Sequence, residues 1–207
     1  MPTQTFNNLN EEKKTRILGA AAKEFSQRNV EEAYLSNIVN DAKIARGSFY
    51  QYFANKEDLY TYVFEKLRAE RSEYVQPAFE FYKTEPFMRF FEEFYVLDSE
   101  FLLSHPQHIE LGKHLYGHAH GVSRRLIQNI QTKYKEMFLI AIAYDKDRGL
   151  ISEDINTGSL ADLCVHLTTD IFIFQCVMDQ LSLRNIKEYT KNMLTIIRKG
   201  IEPKQGA

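Results

Sequence analysis

Tryptophan is absent and cysteine nearly so: Cys164 and Cys176 are the only two thiols in 207 residues. Two cysteines so spaced build neither a disulfide framework nor a CxxC motif, and a reduced, cytoplasmic setting is the plain expectation. Glycine (9) and proline (5) are scarce and fall mostly at the ends of patterned segments, which excludes collagen-like and low-complexity chains. No apolar run approaches the roughly 18 residues that span a bilayer, so no membrane partner is expected. The first residues lack a basic stretch followed by an apolar one, so no secretory leader is expected either. One-sided charge is missing too: 26 Lys/Arg against 28 Asp/Glu leave −2 overall, which argues against a generic polyanion binder. No Gly-rich phosphate loop, Gly-x-Ser-x-Gly elbow or His-Glu-x-x-His pair occurs. Catalysis therefore has little support, and neither a cofactor nor a metal is implied.

What is present is helical period almost throughout. Asn10 is placed to cap a helix whose first turn holds Glu11 and Glu12, with Ile17, Leu18, Ala21, Ala22 and Phe25 as its buried stripe. Arg28-Asn29 is expected to end it, Asn being tolerant of the left-handed cap conformation. A short helix is expected over about 35–42, then a three-residue connection, then another short helix from Arg46 to about Phe53. Those are the dimensions of a helix-turn-helix. Asn55 caps the next helix ahead of Lys56-Glu57-Asp58-Leu59. Longer helices follow over 87–104, 123–148, 160–181 and 186–200, with a short one from Pro106 to about Gly117–Gly121 between the first two. The fold class is all-α, with about nine helices: a three-helix head over 1–54 and a larger body over 55–207.

Charge is distributed unevenly at short range. Between Ala42 and Lys56 stand three cations, Lys43, Arg46 and Lys56, and no acid. Phe49 and Phe53, at i and i+4, share one face and are expected to point inward. Arg46, Ser48, Gln51 and Tyr52 cannot all do so, and an α-helix fits the DNA major groove, where Arg pairs with guanine and Gln with adenine. Gly47 leaves room for close backbone approach, and Tyr50 can offer its hydroxyl to a phosphate. Lys56, at the positive end of a helix dipole, would serve as a second phosphate clamp.

The string Gly-Ser-Phe-Tyr-Gln-Tyr-Phe-Ala-Asn-Lys-Glu-Asp-Leu over residues 47–59 resembles the DNA-binding region of the tetracycline-repressor (TetR) family. The resemblance is sharp over about residues 10–60 and architectural beyond. It implies a ligand-responsive regulator, in the first instance a repressor, that binds a near-palindromic double-stranded operator as a homodimer. A small-molecule inducer of apolar or aromatic character would release it. Carried over position by position, it puts Arg46, Ser48, Tyr50 and Tyr52 at DNA and Lys56 at the backbone; Ser36, Lys43, Gly47 and Gln51 complete the expected interface. Three positions depart from the family pattern. Lys43 stands where the turn usually has Gly, Ala45 where Ser commonly caps the recognition helix, and Tyr34 where Thr is usual.

The segment 160–181 is apolar nearly all round, and a helix of that kind must be buried on two sides. With the amphipathic 186–200 segment it is expected to form a four-helix dimer bundle, through Leu167, Ile171, Phe174, Met178, Tyr189, Met193 and Ile197. The aromatic clusters of the body either line a ligand cavity or simply fill a core. As a cavity they would place Phe94, Phe101, His114, His118, Tyr134, Phe138, Phe172 and Gln175 at its wall. Five histidines crowd residues 105–120, and Glu110, His114 and His118 share a helical face at i, i+4, i+8. A solvated polar stripe is the simpler reading, and a transition-metal site the sharper one. Two rivals stand beside the regulator: a helical carrier of small molecules or lipids without DNA readout, and an all-helical metalloprotein using the 105–120 histidines.

Overall fold

The computed structural model describes residues 1–177 and 182–201; for 170–177 and 183 it describes the backbone alone. Among the described residues there are ten α-helices and no strand. They are α1 (Gln4–Asn7), α2 (Glu11–Gln27), α3 (Leu35–Asp41), α4 (Arg46–Tyr52), α5 (Lys56–Val75), α6 (Phe87–Ser104), α7 (Pro106–Gly117), α8 (Gly121–Asp147), α9 (Thr157–Val177) and α10 (Leu183–Ile201), with a 3-10 turn over Gln76–Glu80. The helix beyond the expected nine is α1.

Local chemistry explains most boundaries. The Asn10 side chain accepts from the Lys13 amide at 2.9 Å and starts α2, and Asn55 does the same for the Asp58 amide at 2.8 Å at the start of α5. Gly149, at φ +69, closes α8. Asn29 does not use its tolerance of the left-handed conformation; it is buried, and its Oδ1 accepts from the Glu32 amide at 3.0 Å to shape the loop after α2. The one non-glycine residue with positive φ among those described is Lys43, at +51. Its amide donates to the Asn40 carbonyl and that of Ile44 to Val39, both at 3.0 Å, the paired bonds of a Schellman end to α3. An L-residue in that conformation is strained. We expect Lys43→Gly to raise stability by about 0.5–1 kcal/mol, net of glycine's larger unfolded-state entropy; a thermal melt with no gain would contradict this.

Contacts divide the chain into two compact units, one of Met1–Glu70 with His105–Ile127, the other of Arg71–Ser104 with Gln128–Ala207. This division does not coincide with a boundary at residues 54–55. In the first unit α2 packs on α7 as well as on α3, and α1 and α3 pack on α4. The start of α5 and all of α7 are therefore structural parts of the helix-turn-helix unit, a long-range pairing that local periodicity does not reveal.

In the second unit α6 supplies a run of rings around Phe138 of α8. The Phe87, Phe90, Phe91 and Phe94 centroids lie 6.2, 6.4, 5.3 and 5.9 Å from that of Phe138. All five side chains are fully or almost fully buried. The start of α6 is capped from a distance: the buried Asp145 carboxylate accepts from the Phe87 amide at 2.6 Å. Burial pushes that carboxyl above its ordinary range, against the opposing pull of the Phe87 amide and of Arg148.

Candidate nucleic-acid interface

α4 is seven residues long and has two sides. Phe49 and Phe53 are fully buried and Tyr52 is 4% exposed, so residues at i, i+3 and i+4 all face the core. Arg46, Gly47, Tyr50 and Gln51 are exposed, with Ser48 half-buried at the margin. Arg46 with Tyr50, and Gly47 with Gln51, are i, i+4 pairs, so the outward side presents two adjacent columns. Ser36 on α3 and Lys43 in the turn are exposed as well. A Cβ built on Gly47 would meet nothing within 4 Å. Nothing inside the protein therefore requires glycine there, although it weakens a helix.

Two of the expected contacts are placed elsewhere. Tyr52 does not face outward: its ring packs edge-on against Phe6 at 6.1 Å, and the Lys13 ammonium lies 5.5 Å from its centroid. The reason is its i+3 relation to Phe49, which puts it on the buried side. Lys56 does not stand free to meet a phosphate. Its ammonium donates to the carbonyls of Glu31 and Ala33 at 2.8 and 2.7 Å and so ties the α2–α3 loop to the start of α5. We expect Lys56→Ala to lower stability by about 1–2 kcal/mol through those two charge-assisted bonds, and to leave the salt dependence of DNA binding nearly unchanged. A slope that falls by about one per site would restore the phosphate role.

The helix-turn-helix is held by groups that local pattern did not bring forward. Neither Tyr34 nor Ala45 caps its helix with a side chain. Glu24, 5% exposed, does part of that work from α2: its carboxylate accepts from the Tyr34 amide at 2.8 Å, Asn37 Nδ2 at 3.0 Å and Arg28 Nη1 at 3.3 Å. Burial alone would raise its pKa, but the bonds from Tyr34, Asn37 and Arg28 outweigh it and hold the carboxyl below its ordinary value.

Residues 17–63, which span α2 to the middle of α5, match the family described as bacterial regulatory proteins, tetR family. Those residues of the chain carry a helix-turn-helix domain of the tetR-family kind. Solved structures agree on the fold. A TetR family transcriptional regulator from Chloroflexus aurantiacus J-10-FL superposes with a TM-score of 0.71 at 20% identity, over 99% of this chain and 100% of the other. A putative transcriptional regulator from Pseudomonas aeruginosa PAO1 gives 0.77 at 12% identity, over 94% and 95%. The transcriptional regulator FadR from Bacillus subtilis, in complex with stearoyl-CoA, gives 0.73 at 17% identity, over 91% and 99%. No curated protein matches the chain.

The remaining expected site residues fall as follows. Phe94 and Phe138 are fully buried ring against ring, with Tyr134 half-buried beside them at 5.6 Å from Phe94. Phe101, 3% exposed, packs on Tyr74 at 5.4 Å. These aromatics are core of the second unit, which corrects the cavity-wall reading for Phe94, Phe101 and Phe138. His114 and His118 lie on α7 and at its end, in the first unit, one half-buried and one exposed. No group of three metal-ligating side chains forms among the described residues: the histidines of 105–120 pair ring to ring instead, His105 with His108 at 5.5 Å and His118 with His120 at 6.5 Å. Of the expected dimer residues, Leu167 is buried in its own unit's core, and Met193 and Ile197 pack half-buried on that same core. Tyr189 is exposed, as are Leu163 and Ile196, at 43% and 74%. Phe172, Gln175, Ile171, Phe174 and Met178 lie outside the residues whose side chains are described.

Proposed function

We propose that this regulator reads a near-palindromic operator as a homodimer, with the Arg46–Tyr50 and Gly47–Gln51 columns of α4 in the major groove. The observation that carries this reading is Gly47: an exposed helical glycine with open space around it is explained by close approach of something outside the chain. Arg46 and Gln51 are the base readers, Ser48 and Tyr50 their neighbours at the groove edge, and Ser36 and Lys43 backbone contacts. Residues 1–54 supply the DNA surface, and 55–207 supply dimerisation and ligand response, with α7 built into the reading unit. Dimerisation uses the apolar residues that α9 and α10 leave exposed, Leu163, Tyr189 and Ile196, since apolar patches left in water mark contact surfaces. A twofold axis places two α4 helices about one DNA turn apart. The protein represses by occupying the operator, in the cytoplasm, until a small molecule favours another spacing of the heads. That requires different ligand affinities for the two spacings, not tight binding alone. The FadR complex with stearoyl-CoA supports trying apolar acyl compounds as the inducer class.

The test is selection of duplexes from a random-sequence library by the full chain, followed by the same selection with Arg46→Ala and Gln51→Ala. Each variant should weaken the selected site by about 1–3 kcal/mol and relax preference at one position per half-site. Uniform weakening on every sequence would move these residues to the phosphate class. A wild-type selection with no consensus would sink the operator reading.

A further inference from the structure

The recognition helix cannot hold itself. Seven residues make barely two turns, Ala45 offers no side-chain cap, and the last four carbonyls of any helix lack intrahelical partners. Of those four in α4, the Phe49 carbonyl is taken by the Phe53 amide at 2.9 Å. The next two partners come from outside the helix-turn-helix. The Thr3 amide donates to the Tyr52 carbonyl at 2.9 Å, and the Thr3 hydroxyl donates to the Gln51 carbonyl at 2.6 Å. Thr3 is itself fixed. It begins α1, its oxygen accepting from the Phe6 amide at 3.4 Å, and Phe6 is fully buried against Phe53, Tyr62 and Tyr52 at 4.8, 5.6 and 6.1 Å.

We infer that Thr3 is a specificity-determining positioning residue, which sets the base preference read by Gln51 by holding the Gln51 carbonyl. The inference rests on the operator reading above, in which Gln51 faces a base. The hydroxyl touches the main chain of that one reader, so its effect concentrates at the base position Gln51 sees. Arg46, a full turn away at the other end of α4, is left in place. Phosphate contacts tolerate small tilts of a helix end, whereas a bidentate base contact does not.

The experiment uses the full chain with Thr3→Val, which keeps the amide and the branched shape but removes the hydroxyl, and with Thr3→Ser, which retains it. The probe is the duplex selected by the wild type, together with its single-base variants. Thr3→Val should relax discrimination about tenfold at the position that Gln51→Ala also relaxes, the scale of one lost base contact. The slope of log affinity against log salt should stay unchanged. Combined with Gln51→Ala it should add no further loss, because the two act as one, and Thr3→Ser should behave as wild type. Amide hydrogen exchange over 46–53 in the free protein gives a DNA-independent arm: faster in Thr3→Val, unchanged in Thr3→Ser. Additive losses, uniform weakening on all duplexes, or unchanged exchange would each overturn the role of Thr3. If no consensus site is recovered, the operator reading falls, and the exchange arm still decides for or against Thr3.

Discussion

Replacing Glu24 with alanine should lower the unfolding free energy by about 3 kcal/mol, from two or three lost charge-assisted bonds and the buried donors they leave behind. For a chain of this length that is a fall of about 6–12 °C in Tm. The side chain is 5% exposed and joins three groups at once, the Tyr34 amide, Asn37 and Arg28. Removing it strands the amide at the start of α3, where the Tyr34 side chain makes no cap bond. The same carboxylate makes stability depend on acid. Its pKa is lowered in the folded protein, so its contribution is fully present above the ordinary glutamate range. That contribution is lost as pH falls through the depressed folded value. Glu24→Gln keeps the shape without the charge, so the difference in stability between wild type and Glu24→Gln should shrink as pH falls below about 4. Denaturation curves for both proteins between neutral and acid pH measure it. A difference that stays constant, or grows in acid, would mean that the carboxylate gains nothing from its three partners.

How far the sequence could be read depends on how local each cause is. The cap residues Asn10 and Asn55 act within three positions, and both helices begin where those residues predict. The Lys43 turn was legible as a glycine position held by lysine, and the φ there is +51. Tyr52 was open to reading and was misplaced. Taking only the i, i+4 relation of Phe49 and Phe53 overlooks i+3, which is the same face. Lys56 is a different case: its acceptors at 31 and 33 are set by the path of a loop, which no short-range pattern encodes. α1 carries a single buried residue, Phe6, in four, too little for a period to appear. The pairing of α2 with α7 joins segments about 90 residues apart, and only the folded chain can show it. The fold class was therefore written in periodicity, and the recognition helix in a motif. The bonds that Thr3 makes to that helix, Glu24 to the start of α3 and Lys56 to the α2–α3 loop were written in neither.

Truncating Phe94 to alanine should lower stability by about 3–5 kcal/mol, the range for removing a large ring from a packed core. The ring is fully buried, with centroids of Phe79, Tyr134, Phe138 and Phe90 at 5.9, 5.6, 5.9 and 6.3 Å. A residue so enclosed has no face left for a ligand, whereas a ring fronting an empty pocket already lacks partners on one side and loses less on truncation. Phe94→Ala therefore separates two accounts of the same aromatic-rich helix, α6, by magnitude alone. Tyr134, half-buried beside it, should cost less, about 1–2 kcal/mol, because part of its surface is already in water. Urea denaturation of both variants, with an unchanged m-value to show that the unfolded state is the same, measures the pair. A loss below about 1 kcal/mol for Phe94→Ala would return this helix to the wall of a ligand cavity. At 3 kcal/mol or more, Phe94 is core, and an inducer of the kind proposed above would be recognised by other residues. The truncated protein would then carry an apolar void of its own, able to take up benzene where the wild type cannot.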